Sequence, residues 1–280
     1  MNSVSVIGSI KLDMMAGAPR LPVPGETVTD AVLETHPGGK GANQALAAQR
    51  MGADVSLIGR VGSDPNADLA LALLREGGVN LEGVTVDAAA VTGVAMIVVD
   101  ADGENQIVVA PGANRLIVPT DVQVEGSDAI ICQLEIPLEV VGEAGRRTTG
   151  LFCLNAAPVR PLPHDPIEQT DLLVVNEIEA AQLGDQIHLT GGMVAVTLGG
   201  AGALLYREGQ QLASATPPAV NVVDTVGAGD AFVGAMVASL VAGHDETESL
   251  QRAVIAGALA TTMRGAQPSA PTLAMVEELL

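Results

Sequence analysis

Residues 221–240 read NVVDTVGAGDAFVGAMVASL, and this stretch carries the pattern on which the fold prediction rests. A β-branched run leads into two closely spaced glycines and then into an apolar, alanine-rich segment, which predicts a strand, a tight turn and a helix. Because Gly227 and Gly229 lack a Cβ atom, the backbone can turn its N–H groups toward one point. The amino end of a helix favours negative charge, so we predict an anion site at this turn.

Asp230 lies in the same turn, where a carboxylate is favoured and is expected to be ionised. A carboxylate beside an anion site is suited to taking a proton from an alcohol that attacks a phosphate group. The residues alone leave a second interpretation open, in which Asp230 only caps the helix and the glycines only form a tight connection.

The composition argues against several classes of partner. Of the 280 residues, 48% are hydrophobic and 16% are charged, which indicates a well-buried globular core. A net charge of −20 repels nucleic-acid phosphates and anionic lipids, and two Phe, one Tyr and no Trp offer few surfaces on which bases could stack. We therefore expect no nucleic acid and no membrane as partner.

The two cysteines and the apolar segments indicate a cytoplasmic protein. Cys132 and Cys153 lie in apolar, strand-like runs and are expected to be structural thiols in a reducing compartment, with a disulfide or a reactive thiol as the alternative. Residues 1–8 lack a basic region and a long apolar core, so we predict a strand there instead of a signal peptide. The apolar run 232–243 is too short to span a bilayer.

The order of the predicted elements indicates an α/β fold. Strand-like runs alternate with helical or loop segments along most of the chain, which predicts parallel strands joined by crossovers. The predicted strands are residues 4–10, ending at Asp13, and 55–58, 128–134, 151–154, 171–175 and 193–198. The predicted helices are 44–51, 68–75, the segment from Asp230 to Gly243, 248–263 and 273–280, with a loop at 265–269.

Two further segments predict a small additional sheet. Residues 14–37 contain prolines, glycine and an alternating run, which suggests a hairpin-like excursion. In residues 91–110, Asp102-Gly103 separates two β-branched runs, a strong hairpin signal. We predict one domain over residues 1–280, with these two excursions forming a lid.

Three common motifs do not fit. Residues 38–43 suggest a Walker A loop, but Gly41 follows Lys40 where Ser or Thr is required. The glycines at 227 and 229 precede Phe232 where a dinucleotide fingerprint needs a small residue. No spacing of His and Cys fits a zinc site.

Several motifs together resemble the PfkB, or ribokinase-like, family of carbohydrate kinases. Residues 224–235 resemble the C-terminal signature of that family and residues 38–48 its N-terminal signature. Residues 176–179 resemble its Asn-x-x-Glu motif, and residues 197–202 its nucleotide loop. The resemblance covers nearly the whole chain. It implies a three-layer α/β/α sandwich with a mostly parallel central sheet and a small β-sheet lid.

The resemblance also implies an activity, the ATP-dependent phosphorylation of the primary hydroxyl of a sugar, with D-ribose as the first candidate. A deoxysugar, a hexose or a nucleoside is the alternative substrate, and a non-catalytic sugar- or nucleotide-binding regulator is the alternative class. Asp230 would be the general base, with an anion hole formed by the backbone amides of Gly227, Ala228 and Gly229. The sugar would be held by Lys11, Asp13, Gly39, Lys40, Asn43 and Glu135. ATP would be bound by Asn176, Thr197, Gly199, Gly202 and Gly229.

Metal ions and a second subunit are implied in the same way. Asn176 and Glu179 would organise Mg²⁺, through water. A monovalent cation, K⁺, would be bound by Asp224, Val226, Ala260, Met263, Gly265 and Ser269. The lid implies a homodimer.

The sequence departs from the family pattern in three places. Lys11 stands where the ribose-phosphorylating members of the family have an asparagine that touches the sugar, which puts strict ribose specificity in doubt. Residues 184–193 are short and are expected to lack a crossover helix, leaving one sheet face thinly covered. Val254 lies where Asn or His often stands near the adenine.

Overall fold

The computed structural model describes residues 2–280, apart from the side chains of residues 164 and 165. The strands are β1 Ser3–Ile7, β2 Lys11–Gly17, β3 Val32–Gly38, β4 Asp54–Gly62, β5 Val84–Asp87, β6 Gly93–Val99, β7 Asn105–Ala110, β8 Ala129–Gln133, β9 Leu151–Asn155, β10 Leu172–Asn176, β11 Met193–Thr197, β12 Ala203–Arg207 and β13 Gln210–Ala215. The helices are α1 Lys40–Arg50, α2 Pro65–Glu76, α3 Leu138–Arg147, α4 His164–Glu168, α5 Glu177–Leu183, α6 Ala228–Val241, α7 Glu246–Ala260, α8 Ala266–Ser269 and α9 Leu273–Glu277.

The strands form two sheets. The larger has nine strands in the order β13-β12-β11-β10-β9-β8-β1-β4-β5, and its pairs are parallel except β11 with β12 and β12 with β13. The smaller has four strands in the order β3-β2-β6-β7. The predicted mostly parallel sheet and the small separate sheet are therefore confirmed.

Alternating residues of the central strands enter two different hydrophobic cores. In β8, Ile131 packs into the core formed with α1, α2, α6 and α7, whereas Ile130 packs into the core formed with α3, α4 and α5. In β10, Val174 and Val175 divide in the same way. Because side chains of a strand alternate between faces, this division shows that helices cover both sides of the sheet. The architecture is the predicted α/β/α sandwich.

The two cysteine side chains also lie on opposite faces of the sheet. Cys132 belongs to one core and Cys153 to the other, and both are buried and free. They are structural thiols, as predicted, and burial raises the pKa of each. Among residues 2–280, no helix combines the length and the apolar character needed to cross a bilayer.

The first strand is shorter than predicted, and Asp13 does not lie at its end. β1 stops at Ile7, the chain crosses to the small sheet, and Asp13 lies inside β2. The side-chain amide of Asn114 accepts from the Ile10 N–H and donates to the Ile10 carbonyl, both at 2.8 Å. These bonds satisfy the backbone N–H and C=O of Ile10, which a longer β1 would otherwise pair with a neighbouring strand. β1 can therefore end before Ile10.

The β-branched run before Asp224 is not a strand, contrary to the prediction. The N–H groups of Val223 and Asp224 both donate to the carbonyl of Thr261, at 2.8 and 3.1 Å. The end of α7 therefore satisfies this backbone, and no neighbouring strand pairs with it. The predicted loop at 265–269 is also wrong, since α8 occupies most of it, and α7 ends at Ala260, before the predicted residue 263.

The antiparallel edge of the large sheet was not predicted from the sequence. β12 and β13 form a hairpin whose turn residues, Glu208 and Gly209, have φ angles of 51° and 76°. Glu-Gly is a weaker hairpin signal than Asn-Gly or Asp-Gly, because glutamate rarely adopts a positive φ. β5 and α3 were missed as well.

The short connection expected at 184–193 leaves part of the sheet open. After α5 the chain makes a 3₁₀ turn at Gly184–Leu189 and enters β11. A cavity of about 710 Å³ lies beside it and is lined by Val194, Val196 and Tyr206 of β11 and β12.

Candidate active site

The turn at the start of α6 is built closely against the segment that carries α8. Gly227 has a φ of 83°, and a Cβ atom there would lie 2.6 Å from the Cα of Ala266, so only glycine fits. The Ala228 N–H donates to the Thr225 carbonyl at 3.3 Å. Within residues 2–280, the N–H groups of Gly227 and Gly229 have no hydrogen-bond acceptor. These two amides, and the Asp230 N–H, which also has no acceptor there, are available to an anion.

Asp230 is held by helix α1 across the site. It is 7% exposed, and its Oδ2 accepts from Asn43 Nδ2 and its Oδ1 from Gln44 Nε2, both at 2.9 Å. In the described part of the chain no cationic nitrogen lies within ion-pair distance of it, so neutral amides orient this carboxylate and no salt bridge neutralises it. The Asp230 side chain accepts hydrogen bonds from residues of α1 and makes no capping hydrogen bond to the backbone of its own helix, α6. The interpretation of Asp230 as a helix cap alone is therefore not supported.

Gln44, which was not among the residues predicted from the sequence, is held in place by residues of the central sheet. Its Oε1 accepts from Gln133 Nε2 at 2.6 Å, and its Nε2 also donates to Asn155 Oδ1 at 3.0 Å. Gln133 and Asn155 are the last residues of β8 and β9. Polar residues at the carboxyl ends of neighbouring parallel strands are a signal that could have identified this network.

The glycines of residues 38–41 let α1 begin directly against the first strand. Gly39 has a φ of 94°, and a Cβ atom on Gly41 would lie 2.6 Å from the backbone of Gly8. A Cβ atom on Gly38 would lie 2.2 Å from Asp13 Oδ2, so this glycine leaves room for the Asp13 carboxylate. These close approaches bring Lys40 and Asn43 to the same end of the sheet as Asp13.

Glu135 connects several predicted sugar-binding residues. Its Oε1 lies 2.6 Å from Lys11 Nζ, and its Oε2 accepts from the Lys40 N–H at 3.1 Å and from the hydroxyl of Ser9. Burial by itself would raise the pKa of Glu135, but Lys11 and the bonds from Lys11 and Ser9 hold that pKa below its ordinary value. Ser9 was not predicted from the sequence.

Two further groups of the site, Asp13 and Lys40, have raised pKa values. Burial raises the pKa of Asp13 to about 6, with the charges of Glu135 and Asp230 adding to the effect and Lys11 opposing it. The charge of Asp230, helped by Glu135 and Glu179, raises the pKa of Lys40. No carboxylate in the described residues lies within 4.0 Å of Lys40 Nζ, so this ammonium group is free to meet a ligand.

A cavity of about 480 Å³ adjoins the start of α6. Four of the five predicted ATP-binding residues, Thr197, Gly199, Gly202 and Gly229, line it, and so does Val254. A Cβ atom on Gly202 would lie 2.0 Å from the Ala215 carbonyl, so the loop after β11 depends on this glycine. Asn176, the fifth residue, does not line the cavity.

Asn176 and Glu179 form a capping box at the start of α5. The Glu179 N–H donates to Asn176 Oδ1 and the Asn176 N–H donates to Glu179 Oε2, each at 2.8 Å. The capping interpretation that the residues left open is therefore what the structure shows. Glu179 Oε1 has no hydrogen-bond partner among residues 2–280 and remains available to a ligand.

Of the residues predicted to bind a monovalent cation, the structure joins three. Asp224 Oδ1 accepts from the Val226 N–H, and its Oδ2 accepts from the Gly265 N–H, both at 3.0 Å. Ser269 Oγ donates to the Ala266 carbonyl at 3.2 Å. Ala260 ends α7, and Met263 is 53% exposed.

The arrangement defines a class of enzyme. A nucleotide-sized cavity, free amides at a helix start and an oriented carboxylate beside a polar pocket together suit phosphoryl transfer to an alcohol. Over residues 1–273 the chain matches the model of the pfkB family carbohydrate kinases. The chain belongs to this family.

Individual relatives agree with the family match. A ribokinase from Bacillus subtilis (strain 168) is 36% identical over 299 residues, with both chains covered completely. A bifunctional ribokinase/ribose-5-phosphate isomerase A from Fructilactobacillus sanfranciscensis is 34% identical over 97% of this chain, which spans 55% of that longer protein. The solved structure of Arabidopsis thaliana ribokinase, complexed with ribose and ATP, superposes with a TM-score of 0.88 at 30% identity, covering 99% of this chain and 98% of the other.

Proposed function

We propose that this protein transfers the γ-phosphoryl group of ATP to the primary hydroxyl of D-ribose, giving ribose 5-phosphate. The observation that carries this proposal is the Asp230 carboxylate, oriented by two amides at 2.9 Å and placed one residue after Gly229, which lines the nucleotide cavity. The similarity to ribokinases, among them one solved with ribose and ATP, supports the choice of both substrates.

In this mechanism Asp230 accepts the proton of the attacking hydroxyl. Asn43 and Gln44 hold both carboxylate oxygens in place, so the base does not have to reorganise during the reaction. The free amides of Gly227 and Gly229 stabilise charge on the transferred group, and the unpaired ammonium of Lys40 adds to this stabilisation. Asp13, Lys11 and Glu135 bind the remaining sugar hydroxyls.

The residues present fit a magnesium ion held mainly by water and phosphate. Among residues 2–280 there is no group of three or more His, Cys, Asp or Glu residues that could cage a metal ion. Glu179 offers one unpartnered carboxylate oxygen, which is the kind of ligand that binds hydrated Mg²⁺ through water. When bound, Mg²⁺ would neutralise phosphate charge.

The loop around Asp224 also fits the proposed monovalent cation. Asp224 accepts from the N–H groups of Val226 and Gly265, and Gly227 packs closely against Ala266, so the two loops meet beside the proposed anion hole. Potassium bound there would order the turn that carries Gly227. We further place the protein in the cytoplasm, on the basis of its two buried reduced thiols.

We propose that the small sheet acts as a lid over the sugar and as the dimer interface. Its outer face carries Met96 and Val108, which pair across β6 and β7 and are 49% and 62% exposed. Closure would exclude water and so limit the hydrolysis of ATP. The edge strand β7 and the exposed apolar side chains favour pairing with a second copy.

The dimer is tested by replacing Val108 with lysine. We expect sedimentation to give twice the chain mass for the wild type and the single chain mass for Val108→Lys, because the charge cannot be buried in an apolar interface. Leu212→Lys on β13, at 43% exposure of the leucine, is the matched control and should stay dimeric. A monomeric wild type, or a dimeric Val108→Lys variant, would refute this interface.

The substrate is tested with a panel of acceptors and coupled detection of ADP. We expect the highest kcat/KM for ribose among ribose, deoxyribose, hexoses and nucleosides. Good turnover of another acceptor without turnover of ribose would reject ribose but keep the kinase. Absence of ADP formation with every acceptor would reject the catalytic proposal and favour a binding protein.

A further inference from the structure

A pocket of about 310 Å³ lies at the end of the sugar site that is defined by Glu135 and Lys11, and it is unusually basic for this chain. Its lining includes Lys11, Arg115 and Arg160, against one carboxylate, Glu135. The whole chain has only 13 Lys and Arg residues and a net charge of −20, so three cations around one small pocket are a marked local concentration.

Two of the three cations, Arg115 and Arg160, have no carboxylate partner among the described residues, whereas Lys11 pairs with Glu135. The guanidinium of Arg115 is exposed and makes no hydrogen bond or ion pair with the described residues. Arg160 donates from Nη2 to the Ile136 carbonyl, but its buried Nε has no acceptor in residues 2–280. Lys11 is buried, and its ammonium group donates one of its three N–H groups to Glu135. Several N–H donors are therefore left for a ligand.

The pocket also continues the sugar site. Lys11, Glu135 and Ser9 belong to the hydrogen-bonded group that includes the Lys40 backbone. Val109 of the small sheet also lines the pocket. Asp230 does not line this pocket. A ligand here would lie at the far end of an acceptor whose hydroxyl faces Asp230.

Charge balance indicates what this ligand is. Arg160 donates to a backbone carbonyl and makes no ion pair with a described carboxylate, so its charge is not neutralised inside the protein. Neutral sugar hydroxyls would accept hydrogen bonds but would leave the excess positive charge unbalanced. The guanidinium groups of Arg115 and Arg160 are matched instead by a carboxylate or phosphate group, to which Lys11 can add a hydrogen bond.

We propose that the pocket of Lys11, Arg115 and Arg160 binds an oxyanion group, carboxylate or phosphate, at the end of the acceptor site opposite the reacting hydroxyl. This inference rests on the proposed kinase function and deepens it. The group has two possible sources, an anionic substituent of the acceptor itself or a separate inorganic anion bound beside a neutral sugar.

Two measurements separate these sources. The first compares kcat/KM for ribose with that for aldonic acids and pentose 1-phosphates, all of which keep a free primary hydroxyl. The second measures inorganic phosphate binding by calorimetry, in the presence of ribose. Both are made on the wild type, on Arg115→Gln and Arg160→Gln, and on Arg146→Gln, a control on α3 where the arginine pairs with Glu143 at the surface.

If the acceptor carries the anion, each of the two pocket variants should lower kcat/KM for the anionic acceptor, relative to ribose, by about tenfold or more, since a charge-assisted hydrogen bond is lost. If the anion is separate, phosphate should bind the wild type and Arg146→Gln and should bind the pocket variants at least about tenfold more weakly. Either result supports the site.

The site is refuted if neither anionic acceptors nor phosphate distinguish the pocket variants from Arg146→Gln while ribose is still phosphorylated. That outcome would leave the proposed kinase function intact. Conversely, phosphate binding that depends on Arg115 and Arg160, without ATP-dependent turnover of any acceptor, would refute the kinase function and keep the anion site.

Discussion

Replacing Asp230 with asparagine should lower kcat by a factor of at least about 10² and up to about 10⁴, the usual contribution of a general base. The amide cannot accept the proton of the sugar hydroxyl, although it has almost the same shape as the carboxylate. One of the two donors, Asn43 or Gln44, would then face an NH₂ group, so a small loss of stability is also expected.

The Asp230→Asn measurement needs two controls. Calorimetric binding of ATP shows whether the nucleotide cavity is still formed, since Gly229 lines it beside the substitution. Asp54→Asn, at an exposed position where the aspartate side chain makes no hydrogen bond with the described residues, shows the effect of the same chemical change elsewhere. Unchanged kcat in Asp230→Asn, with ATP binding retained, would refute the role of Asp230 as base.

Replacing Asp13 with asparagine should have opposite effects on activity and on stability. Activity should fall, with kcat/KM for the sugar reduced about tenfold or more, because a charged acceptor for sugar hydroxyls is lost. Stability at pH 7.5 should rise by about 1–3 kcal/mol in the absence of sugar, because burial raises the Asp13 pKa from 3.8 to about 6 and ionisation above that pH destabilises the fold.

The sign of the pH dependence follows from the same shift. Between pH 3.8 and about 6 the folded protein binds the Asp13 proton more tightly than the unfolded chain, so this residue's contribution to stability falls as the pH rises. The gain in Asp13→Asn should therefore be complete above about pH 6 and disappear toward pH 4. Denaturant unfolding of both proteins at several pH values measures it. A gain that is constant with pH, or no loss of kcat/KM, would contradict this account of Asp13.

Most of the central fold could be predicted from the sequence because its strands are short, apolar runs separated by clear turn signals. The runs at 128–134 and 171–175 became β8 and β10, and the Asp102-Gly103 turn joined β6 and β7. The errors arose where tertiary contacts replaced local preference. Thr261 satisfies the backbone before Asp224, and Asn114 satisfies the backbone that leaves β1.

The motifs of the sequence identified some of the residues that the structure brings together and not others. Asp230, Asn43 and Glu135 lie in motifs or at strand ends and were identified. Gln44 and Ser9 were not, because an amide and a hydroxyl in an alanine- and glycine-rich context carry no local signal of the partner they meet. Asn176 and Glu179 were identified as a motif, but in the structure they form a capping box at the start of α5. Their spacing in the sequence was compatible with this role as well as with a ligand-binding role.

The most direct test of the central claim is the fate of the γ-phosphoryl group, followed by ³¹P NMR with ATP, Mg²⁺ and ribose. We predict that the group appears on the primary hydroxyl of ribose, that its transfer requires the sugar, and that Asp230→Asn abolishes the signal on the time scale of the wild-type reaction. Release of inorganic phosphate regardless of the sugar, or phosphorylation at another hydroxyl, would contradict the placement of the reacting group beside Asp230.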